Sequence, residues 1–337
     1  MMEKKSKPLV TVITLSYNNF SHIRETIESV LEQDYDRIEY LFFDDCSKDF
    51  PEEEIRNYIE SGDKKVQQYS IVCHPENLGT VKNMNAAYRA AQGEIIMPLS
   101  CGDVFFSRDV VSKVVERFEA TGCHMLTTSR LLYKGDFQPV GLLPHYGARE
   151  ILAKADSALK QYKAYMTSHF LDMTSGCVMY LRKDIAEHFG YFDEEYDLWE
   201  DGPFLTKYLW KDRIEYAFDL ISIWYEDGGV SANTFDNLSP RMRRDVVKFA
   251  ENEFFKHKEV FSPAELRRMK YRQKRMICGR SSKKYLLYLA YFPEMIHYQI
   301  FTKNNRKNSV NDMDYIREYM EKNKNVILMG EKIHAGS

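Results

Sequence analysis

The chain has 337 residues, of which 44% are hydrophobic and 14% aromatic, and its formal net charge is −3. This composition supplies a sizeable core and favours more than one domain. No stretch approaches the roughly 20 apolar residues of a membrane span, and the N-terminal segment lacks the apolar region of a signal peptide. The six cysteines include no CxxC pair, which argues against a disulfide framework or a zinc site. We therefore expect a cytoplasmic protein.

The first hundred residues alternate strand and helix patterns. Continuous apolar runs predict buried strands, and the amphipathic segments between them predict helices. The predicted strands are LVTVITL, IEYLFF, QYSIVC and EIIMPLS, and the predicted helices begin after Ser21 (as N-cap), at Pro51, near Val81 and near Arg108. Strands separated by helices of about 10–15 residues predict βαβ units and a mainly parallel sheet.

The second half is less regular. Strands are predicted at HMLTTSRLLY, SGCVMYLRK and IEYAFDLISIWYED, helices at DIAEHFG and FLTKYLW, and an acidic loop at YFDEEYDLWEDGPF. After Pro240 the pattern changes to charged amphipathic helices. We predict an α/β catalytic domain over residues 8–234 and a basic, helical C-terminal module over residues 235–337.

Polar residues follow three of the predicted parallel strands. They are Ser16-Tyr17, Asp44-Asp45 and Gly102-Asp103. In open α/β sheets ligands bind outside the carboxyl ends of the strands, so these residues should line one crevice.

Four segments, in this order, resemble the family-2 glycosyltransferases: VTVITLSYNN, FDDCSKD, NLGTVKNMNAAYRAAQGEIIMPLSCGD and WEDGPFL. The resemblance covers residues 8–224. It implies a GT-A (Rossmann-like) fold, a nucleotide-sugar donor site and inverting chemistry, of the type that assembles bacterial polysaccharides or lipid-linked glycans.

The donor site is predicted at the first two strand ends. Tyr17 offers a stacking face for a nucleobase, and Ser16 offers hydrogen bonds. The resemblance implies that Asp45 contacts the base of the donor. The alternatives are a strand cap for Ser16-Tyr17 and an Asx turn for the acidic pair.

A helix N-terminus after the third strand would present N–H groups to a diphosphate. The family has an Arg-Asn pair where this chain has Met84-Asn85, so Asn85 is retained and Lys82 is the substitute candidate for the missing arginine. The alternative for Lys82 is a solvated surface lysine.

Asp103 is the predicted metal ligand. In the resembled family an Asp-x-Asp-Asp motif ends on an acid that binds a divalent metal; here Ser100 and Gly102 replace the earlier acids. One carboxylate with phosphates and waters can still hold Mn²⁺ or Mg²⁺, and Gly102 permits a close approach of the ligand. The alternative is a Gly-Asp turn.

The acidic loop supplies the predicted base. The resemblance assigns it to Asp201. Glu200 would position Asp201 or touch the acceptor, and Trp199 offers a stacking surface for a sugar. A single carboxylate suffices to deprotonate an acceptor hydroxyl. The alternative for Asp201 is a helix N-cap, which is compatible with the base role. Ser175-Gly176 and the glycine-containing segment 227–231 are predicted acceptor-side loops.

The C-terminal module is strongly basic, with 18 Lys and Arg against 6 Asp and Glu over residues 241–307. Basic helices with aromatic and aliphatic faces predict peripheral contact with an anionic membrane, at the inner face of the cell membrane. Nucleic acid is the less favoured partner, and a solvated helical appendage is the third possibility.

The sequence therefore predicts an inverting, metal-assisted glycosyltransferase. It would move a hexosyl or N-acetylhexosaminyl group, with a UDP-sugar as the favoured donor, to a hydroxyl of a glycan or lipid-linked acceptor. The alternative from another class is a degenerate, non-catalytic module that binds nucleotide, membrane or nucleic acid. The reduced acidic motif at Ser100–Asp103 supports that alternative, and the intact Glu200-Asp201 pair opposes it.

Overall fold

A computed structural model describes residues 6–61, 66–168, 173–226, 238–279, 281–307 and 309–329, except the side chains of residues 298, 301–307 and 309–311. The predicted acceptor-side segment 227–231 and the predicted domain boundary at residue 234 lie outside the described residues. Within them, nine strands form one mixed sheet in the order β3-β2-β1-β4-β8-β6-β9-β5, with β7 paired to β6.

The first four strands are parallel, as the alternating pattern predicts. They are β1 (Val10–Ser16), β2 (Ile38–Asp44), β3 (Gln68–Cys73) and β4 (Ile95–Ser100). In the rest of the sheet β6 and β9 are parallel to each other, and the remaining pairs are antiparallel. These strands are β5 (Val104–Phe105), β6 (Met125–Lys134), β7 (Gln138–Leu143), β8 (Tyr180–Arg182) and β9 (Glu215–Glu226).

Helices cover both faces of the sheet, because each face carries its own cluster of buried apolar side chains. One face packs against α1 (Ile23–Leu31), α2 (Glu52–Ser61), α4 (Val110–Thr121) and α13 (Ser309–Asn323). The other packs against α3 (Thr80–Ala90), α5 (Tyr146–Ala153), α6 (Ala158–Thr167), α7 (Lys183–Phe189), α8 (Asp201–Leu209), α9 (Pro240–Asn252) and α10 (Pro263–Cys278). The outer helices are α11 (Lys283–Ala290) and α12 (Phe292–Lys307).

The helices after Pro240 share the core of the preceding residues. Phe249 and Met269, from α9 and α10, are fully buried in the same cluster as Ile13 of β1 and Tyr88 of α3. Helix α10 begins with a capping box between Ser262 and Glu265, which satisfies two of the N–H groups that every helix leaves unpaired at its start. The C-terminal helices are thus stable elements that pack on the α/β part, and the two predicted domains are in contact.

Local predictions differ from the structure at three places. The segment SGCVMYLRK is only partly a strand, since Gly176–Val178 forms a short 3-10 helix before β8. Helix α1 is preceded by His22 as N-cap rather than Ser21. Helix α8 has Glu200 at its N-cap, and Asp201 is its first residue. Asp201 therefore lies inside helix α8, and Glu200 takes the N-cap position that was predicted for Asp201.

Candidate active site

The first two strands end side by side, and their polar residues are hydrogen bonded. The Ser16 hydroxyl donates to Asp44 Oδ1 at 2.7 Å, and the Ser47 backbone N–H donates to Asp44 Oδ2 at 2.6 Å. Asp44 is fully buried. Its carboxylate therefore holds the turn after β2 in place, which frees its neighbour Asp45 to face the next loop.

Asp45 joins this turn to the loop before α3. Its carboxylate accepts the backbone N–H of Leu78 at 2.7 Å, the backbone N–H of Gly79 at 2.9 Å and the side-chain amide of Asn77 at 2.9 Å. Three donors on one buried carboxylate compensate its desolvation. In this structure Asp45 positions the loop that would face a donor; its predicted contact with the base stays a prediction.

Tyr17 and Lys82 are the solvent-facing members of the predicted donor site. The Tyr17 side chain is 52% exposed beside the buried Ser16, so its ring face is accessible for stacking. Lys82 is exposed in the first turn of α3. These positions are compatible with contacts to a base and to a phosphate.

Asn85 has a different set of partners. Its amide donates to the Phe192 carbonyl at 2.8 Å and to Glu194 Oε1 at 2.9 Å, and its oxygen accepts the Phe192 N–H at 2.9 Å. Because the side chain is fully buried, it supports the acidic loop rather than the strand-end crevice in this structure.

Gly102 and Asp103 lie at the end of β4, next to the end of β9. Gly102 has a φ of +103°, and a Cβ there would lie 2.7 Å from Glu226 Oε2. Only glycine adopts this backbone readily and leaves that space. Asn19, which follows β1, donates to the same Glu226 oxygen at 3.3 Å, so the loops after three strands meet at this point.

The Asp103 carboxyl is 3% exposed. Its Oδ1 accepts the backbone N–H of Glu226 at 3.1 Å, whereas its Oδ2 is buried and has no hydrogen-bond partner in the structure. Burial raises the pKa of Asp103 to about 7, against the lowering effect of the nearby Arg130. The Cys177 thiol lies beside this carboxyl and lowers its pKa, and a buried oxygen without a well-aligned donor is costly.

That oxygen fits one ligand position of a hard divalent cation. Among the described residues no group of three or more His, Cys, Asp and Glu side chains is arranged to hold a metal ion. Any cation at Asp103 would therefore need most of its oxygen ligands from phosphates and water, as Mg²⁺ commonly does.

Glu200 lies directly over Gly176. A Cβ at position 176 would overlap Glu200 Oε1, so the glycine leaves the space that the carboxylate occupies. Burial, and then the charge of Asp201, raise the pKa of Glu200 to about 8. Asp201 occupies the first turn of α8, where the helix dipole favours a negative charge. Both acids thus lie at the N-terminus of α8, and Glu200 is the one whose pKa burial raises.

The segment Ser175–Cys177 connects the two groups of predicted residues. The Cys177 thiol is buried next to Asp103, and its pKa is raised by burial and by that carboxyl. The Ser175 hydroxyl lies 3.2 Å from the Cys177 sulfur, and Gly176 contacts Glu200. The structure therefore places Asp103, the metal candidate, and Glu200, the neighbour of the base candidate, against the same three-residue segment.

The acidic loop is held by a residue of α9. The Asp245 carboxylate accepts the backbone N–H groups of Asp197 (3.0 Å), Leu198 (2.7 Å) and Trp199 (3.1 Å). Asp245 is 3% exposed. The half-buried Trp199 packs its ring against Phe249 of the same helix, with centroids 4.7 Å apart. These contacts fix the approach to Glu200 and Asp201.

Arg241, also on α9, connects this loop to the Asp45 loop. Its guanidinium donates to Asn77 Oδ1 at 3.0 Å and lies 3.5 Å from Asp197 Oδ2. Asn77 in turn donates to Asp45. One helix thus contacts both the loop that Asp45 holds and the acidic loop.

A family model described as Glycosyl transferase family 2 matches residues 11–189, which is more than half of the chain. The chain belongs to glycosyl transferase family 2. The match ends before Trp199, Glu200 and Asp201, so the roles of these residues do not follow from it.

Curated relatives agree with this membership. A protein of Bacillus subtilis named as the teichuronic acid biosynthesis glycosyltransferase TuaG is 34% identical over 154 residues, which is 46% of this chain and 58% of TuaG. An uncharacterised glycosyltransferase of Rickettsia felis is 27% identical over 213 residues, 59% of this chain and 33% of that protein. The chain thus spans about a third to three fifths of the length of these relatives.

Solved structures confirm the GT-A fold of this member of family 2. Staphylococcus aureus TarS 1–349 in complex with UDP-GlcNAc superposes with a TM-score of 0.54 at 17% identity, covering 89% of this chain and 92% of TarS 1–349. The Pyrobaculum calidifontis mannosyltransferase PcManGT, in complex with GDP-Man and Mn²⁺, gives 0.51 at 14% identity, covering 92% and 88%. The predicted α/β architecture with C-terminal helices is confirmed.

Sequence reasoning missed several residues of this family 2 site. Arg130 on β6 and Glu226 at the end of β9 lie beside Asp103, and Asp245 and Arg241 on α9 hold the loops. None of them stands in a recognisable motif. The sequence pattern of α9 predicts only a charged amphipathic helix. It does not indicate that one of the carboxylates on this helix is buried.

Proposed function

We propose that this glycosyltransferase moves a sugar from a nucleotide-diphosphate donor to a hydroxyl acceptor with inversion at the anomeric carbon. The observation that carries the proposal is the Glu200-Asp201 pair at the start of α8, supported by Asp245 and fitted against Gly176. Direct displacement needs one base on the acceptor side, and Asp201, in the first turn of the helix where a negative charge is favoured, is the candidate. Glu200, whose pKa is raised by burial and by the charge of Asp201, is the neighbour that positions it.

The donor in this proposal is a UDP-sugar, carrying a hexosyl or N-acetylhexosaminyl group. Tyr17 supplies an exposed ring at the end of β1 for the base. Lys82 in the first turn of α3 supplies positive charge for the diphosphate. TarS was crystallised with UDP and with UDP-GlcNAc, and PcManGT with GDP-Man, so the fold accommodates both bases and the choice of UDP is to be tested.

A divalent cation, Mn²⁺ or Mg²⁺, is the cofactor in this proposal. Asp103 would hold it through the buried Oδ2 that has no partner, together with donor phosphates. When bound, such an ion neutralises the charge that develops on the leaving diphosphate. PcManGT was crystallised with Mn²⁺, which supports the cation for this fold.

The acceptor in this proposal is a glycan or a lipid-linked glycan. TuaG is named for teichuronic acid biosynthesis, which supports a polysaccharide product. The basic composition of residues 241–307 supports work at the inner face of the cell membrane. No helix among the described residues is both long enough and apolar enough to cross a membrane.

Calorimetric titration with UDP and with GDP, each with and without Mn²⁺, tests the donor site. Binding that prefers UDP and strengthens with Mn²⁺ is the expected result. Asp103→Asn should remove the effect of Mn²⁺ and leave the metal-free affinity unchanged, whereas Asp136→Asn, on the β6–β7 turn, should behave as the unaltered chain does. An Mn²⁺ effect that persists in Asp103→Asn would remove Asp103 as the ligand.

Chemistry is tested separately, with UDP-sugars and simple glycan acceptors. The anomeric configuration of the product, read by proton NMR, distinguishes inversion from retention. A non-catalytic nucleotide-binding protein is the second candidate, because Asp103 is the one acid left in its motif. Nucleotide binding without transfer or donor hydrolysis, across a panel of UDP- and GDP-sugars, would favour that candidate.

A further inference from the structure

An apolar stripe runs along α11 and the first half of α12. It comprises six large side chains that are exposed to solvent: Tyr285, Leu286, Leu289, Phe292, Ile296 and Ile300. They are half of the twelve exposed large apolar side chains in the described part of the chain, although they fall within 16 consecutive residues. A concentration of this kind marks an interaction surface, whereas scattered exposed apolar residues do not.

The spacing of the stripe places its members on one side of the helices. After the adjacent pair at 285 and 286, successive members are three or four residues apart, which is the repeat of one helix face. Leu289 is 76% exposed, the highest value among them. The members on α11 and those on α12 are therefore exposed to solvent on their own helices, on either side of the break at Tyr291.

The opposite side of the same helices is used for packing. Tyr291 is buried, with Arg267 over its ring at 5.1 Å, and Glu294 Oε1 accepts from Arg267 Nε at 2.6 Å. The Arg267 guanidinium also donates to the Ala290 carbonyl at 3.0 Å. Helix α10 thus fixes the orientation of α11 and α12, so that the exposure of the stripe is a property of the fold.

The surroundings of the stripe are strongly basic. Residues 266–300 contain nine Lys and Arg and a single acidic residue, Glu294, which is paired with Arg267. Lys270, Lys274 and Lys283 are exposed on α10 and α11. Lys284 Nζ lies 5.7 Å from the ring centroid of Tyr285, a member of the stripe. An apolar stripe on a basic part of the protein is complementary to a surface that is apolar inside and negatively charged outside.

We propose that the stripe inserts into the headgroup region of an anionic lipid bilayer, with the lysines of α10 and α11 on the lipid phosphates. Membrane binding through the stripe does not itself depend on the proposed function. Its use does rest on the proposed function, because membrane binding would bring the acceptor site close to lipid-linked acceptors. Apolar insertion anchors the protein, and the basic charge selects anionic lipid and adds salt-sensitive affinity.

Sedimentation of the full chain with vesicles tests the proposal. Vesicles of phosphatidylcholine with phosphatidylglycerol should bind the chain, vesicles of phosphatidylcholine alone should bind it at least about tenfold more weakly, and added salt should weaken binding. The triple variant Leu286→Ser/Leu289→Ser/Ile296→Ser should lose binding by at least about tenfold. The matched control is Leu159→Ser, an apolar residue on α6 that is 46% exposed, which should bind as the unaltered chain does.

A second variant keeps the test valid if the triple variant unfolds. Lys270→Gln/Lys274→Gln/Lys283→Gln should lose the preference for anionic vesicles and retain the thermal unfolding temperature. Unchanged vesicle binding by a folded triple variant would overturn the proposal, as would the absence of binding by the unaltered chain. A concentration-dependent dimer that the triple variant abolishes, without vesicle binding, would assign the stripe to a second copy of the chain.

Titration with UDP in the absence of vesicles separates this proposal from the proposed function. Both variants should bind UDP as the unaltered chain does, because the stripe is not part of the strand-end crevice. Vesicle binding without any nucleotide binding would leave the stripe standing and refute the proposed function. Nucleotide binding without vesicle binding would refute the membrane role of the stripe and leave the proposed function standing.

Discussion

The carboxylate of Asp245 accepts the backbone N–H of Leu198 at 2.7 Å, and by this bond a C-terminal helix positions the loop that leads to Asp201. The same carboxylate accepts the N–H groups of the two residues on either side of Leu198. Three successive N–H groups on one buried acceptor tie the loop to α9, because each of them would lose this partner if the loop moved away.

Asp245→Ala should therefore affect both stability and turnover. Three N–H groups lose their acceptor, at a cost on the order of 2 kcal/mol in the free energy of unfolding. The value of kcat should fall, with UDP affinity unchanged within about twofold, because the loop that carries the base is displaced and the Tyr17 side is not. Urea unfolding and steady-state kinetics measure both effects. Glu251→Gln, at an exposed position of the same helix, is the control and should change neither; equal kcat in Asp245→Ala would remove its positioning role.

Asp201→Asn should remove the general base and leave donor binding unchanged. We expect kcat to fall by roughly 10²- to 10⁴-fold, which is the usual contribution of a general base, while calorimetry shows unchanged UDP affinity. Glu195→Gln, at an exposed position of the acidic loop that forms an ion pair with Lys248 of α9, should keep full activity. Turnover at the normal rate in Asp201→Asn would assign the base to another residue.

The stability of the folded chain should decrease as the pH rises from 7 to 8. The pKa of Glu200 is raised from 4.5 to about 8 by burial and by Asp201, so the folded state binds a proton that the unfolded state has released across this range. When a group has a higher pKa in the folded state than in the unfolded state, the free energy of unfolding falls as the pH increases between these two pKa values. The decrease is at most about 1.4 kcal/mol per pH unit. Burial raises the pKa of Asp103 to about 7, so this group also lowers the free energy of unfolding as the pH rises, mainly at pH values below those at which Glu200 acts.

Glu200→Gln should flatten this dependence between pH 7 and 8, because glutamine has no proton to release. Asp103→Asn should reduce the slope mainly below pH 7 and less between pH 7 and 8, because the folded-state pKa of this group is about 7. Urea unfolding at a series of pH values measures the slopes. Identical slopes in Glu200→Gln and the unaltered chain would show that Glu200 is already ionised in the folded protein at neutral pH.

Gly176→Ala should reduce turnover through Glu200. The added methyl group would overlap Glu200 Oε1, so the carboxylate must move, and we expect kcat to fall on the order of tenfold. Gly141→Ala is the matched control: its Cβ would lie 3.6 Å from Leu132, an ordinary contact. If both variants have equal kcat, the position of the Glu200 carboxylate does not matter for turnover.

Much of the sheet was predictable from the sequence because its strands are continuous apolar runs. The pattern from Leu9 to Ser100 predicts four parallel strands with polar residues at their carboxyl ends, and the structure places Ser16, Asp44 and Asp103 at those ends. The hydrophobic period is a local property of the chain, so it can be recognised without knowledge of the fold.

The partners of these residues were not predictable in the same way. Asp45 accepts from residues 77–79, and Asp103 neighbours Arg130 and Glu226, all distant in sequence. Asn85 was predicted at the donor diphosphate on the strength of a motif, yet its amide bonds to Phe192. Such pairings arise from the packing of helices on the sheet, and no short segment encodes them.

The contact of α9 with both loops bears on how parts of this enzyme could be exchanged between relatives. A chimera that keeps residues 6–226 and takes its C-terminal helices from another protein would retain every strand of the sheet. It would still lack an acceptor for the loop at 197–199 and a donor for Asn77, unless the graft supplies an acid and an arginine four residues apart at the positions of Asp245 and Arg241. The smallest transplantable unit therefore includes Pro240–Asn252, and it is longer than the segment by which the family is recognised.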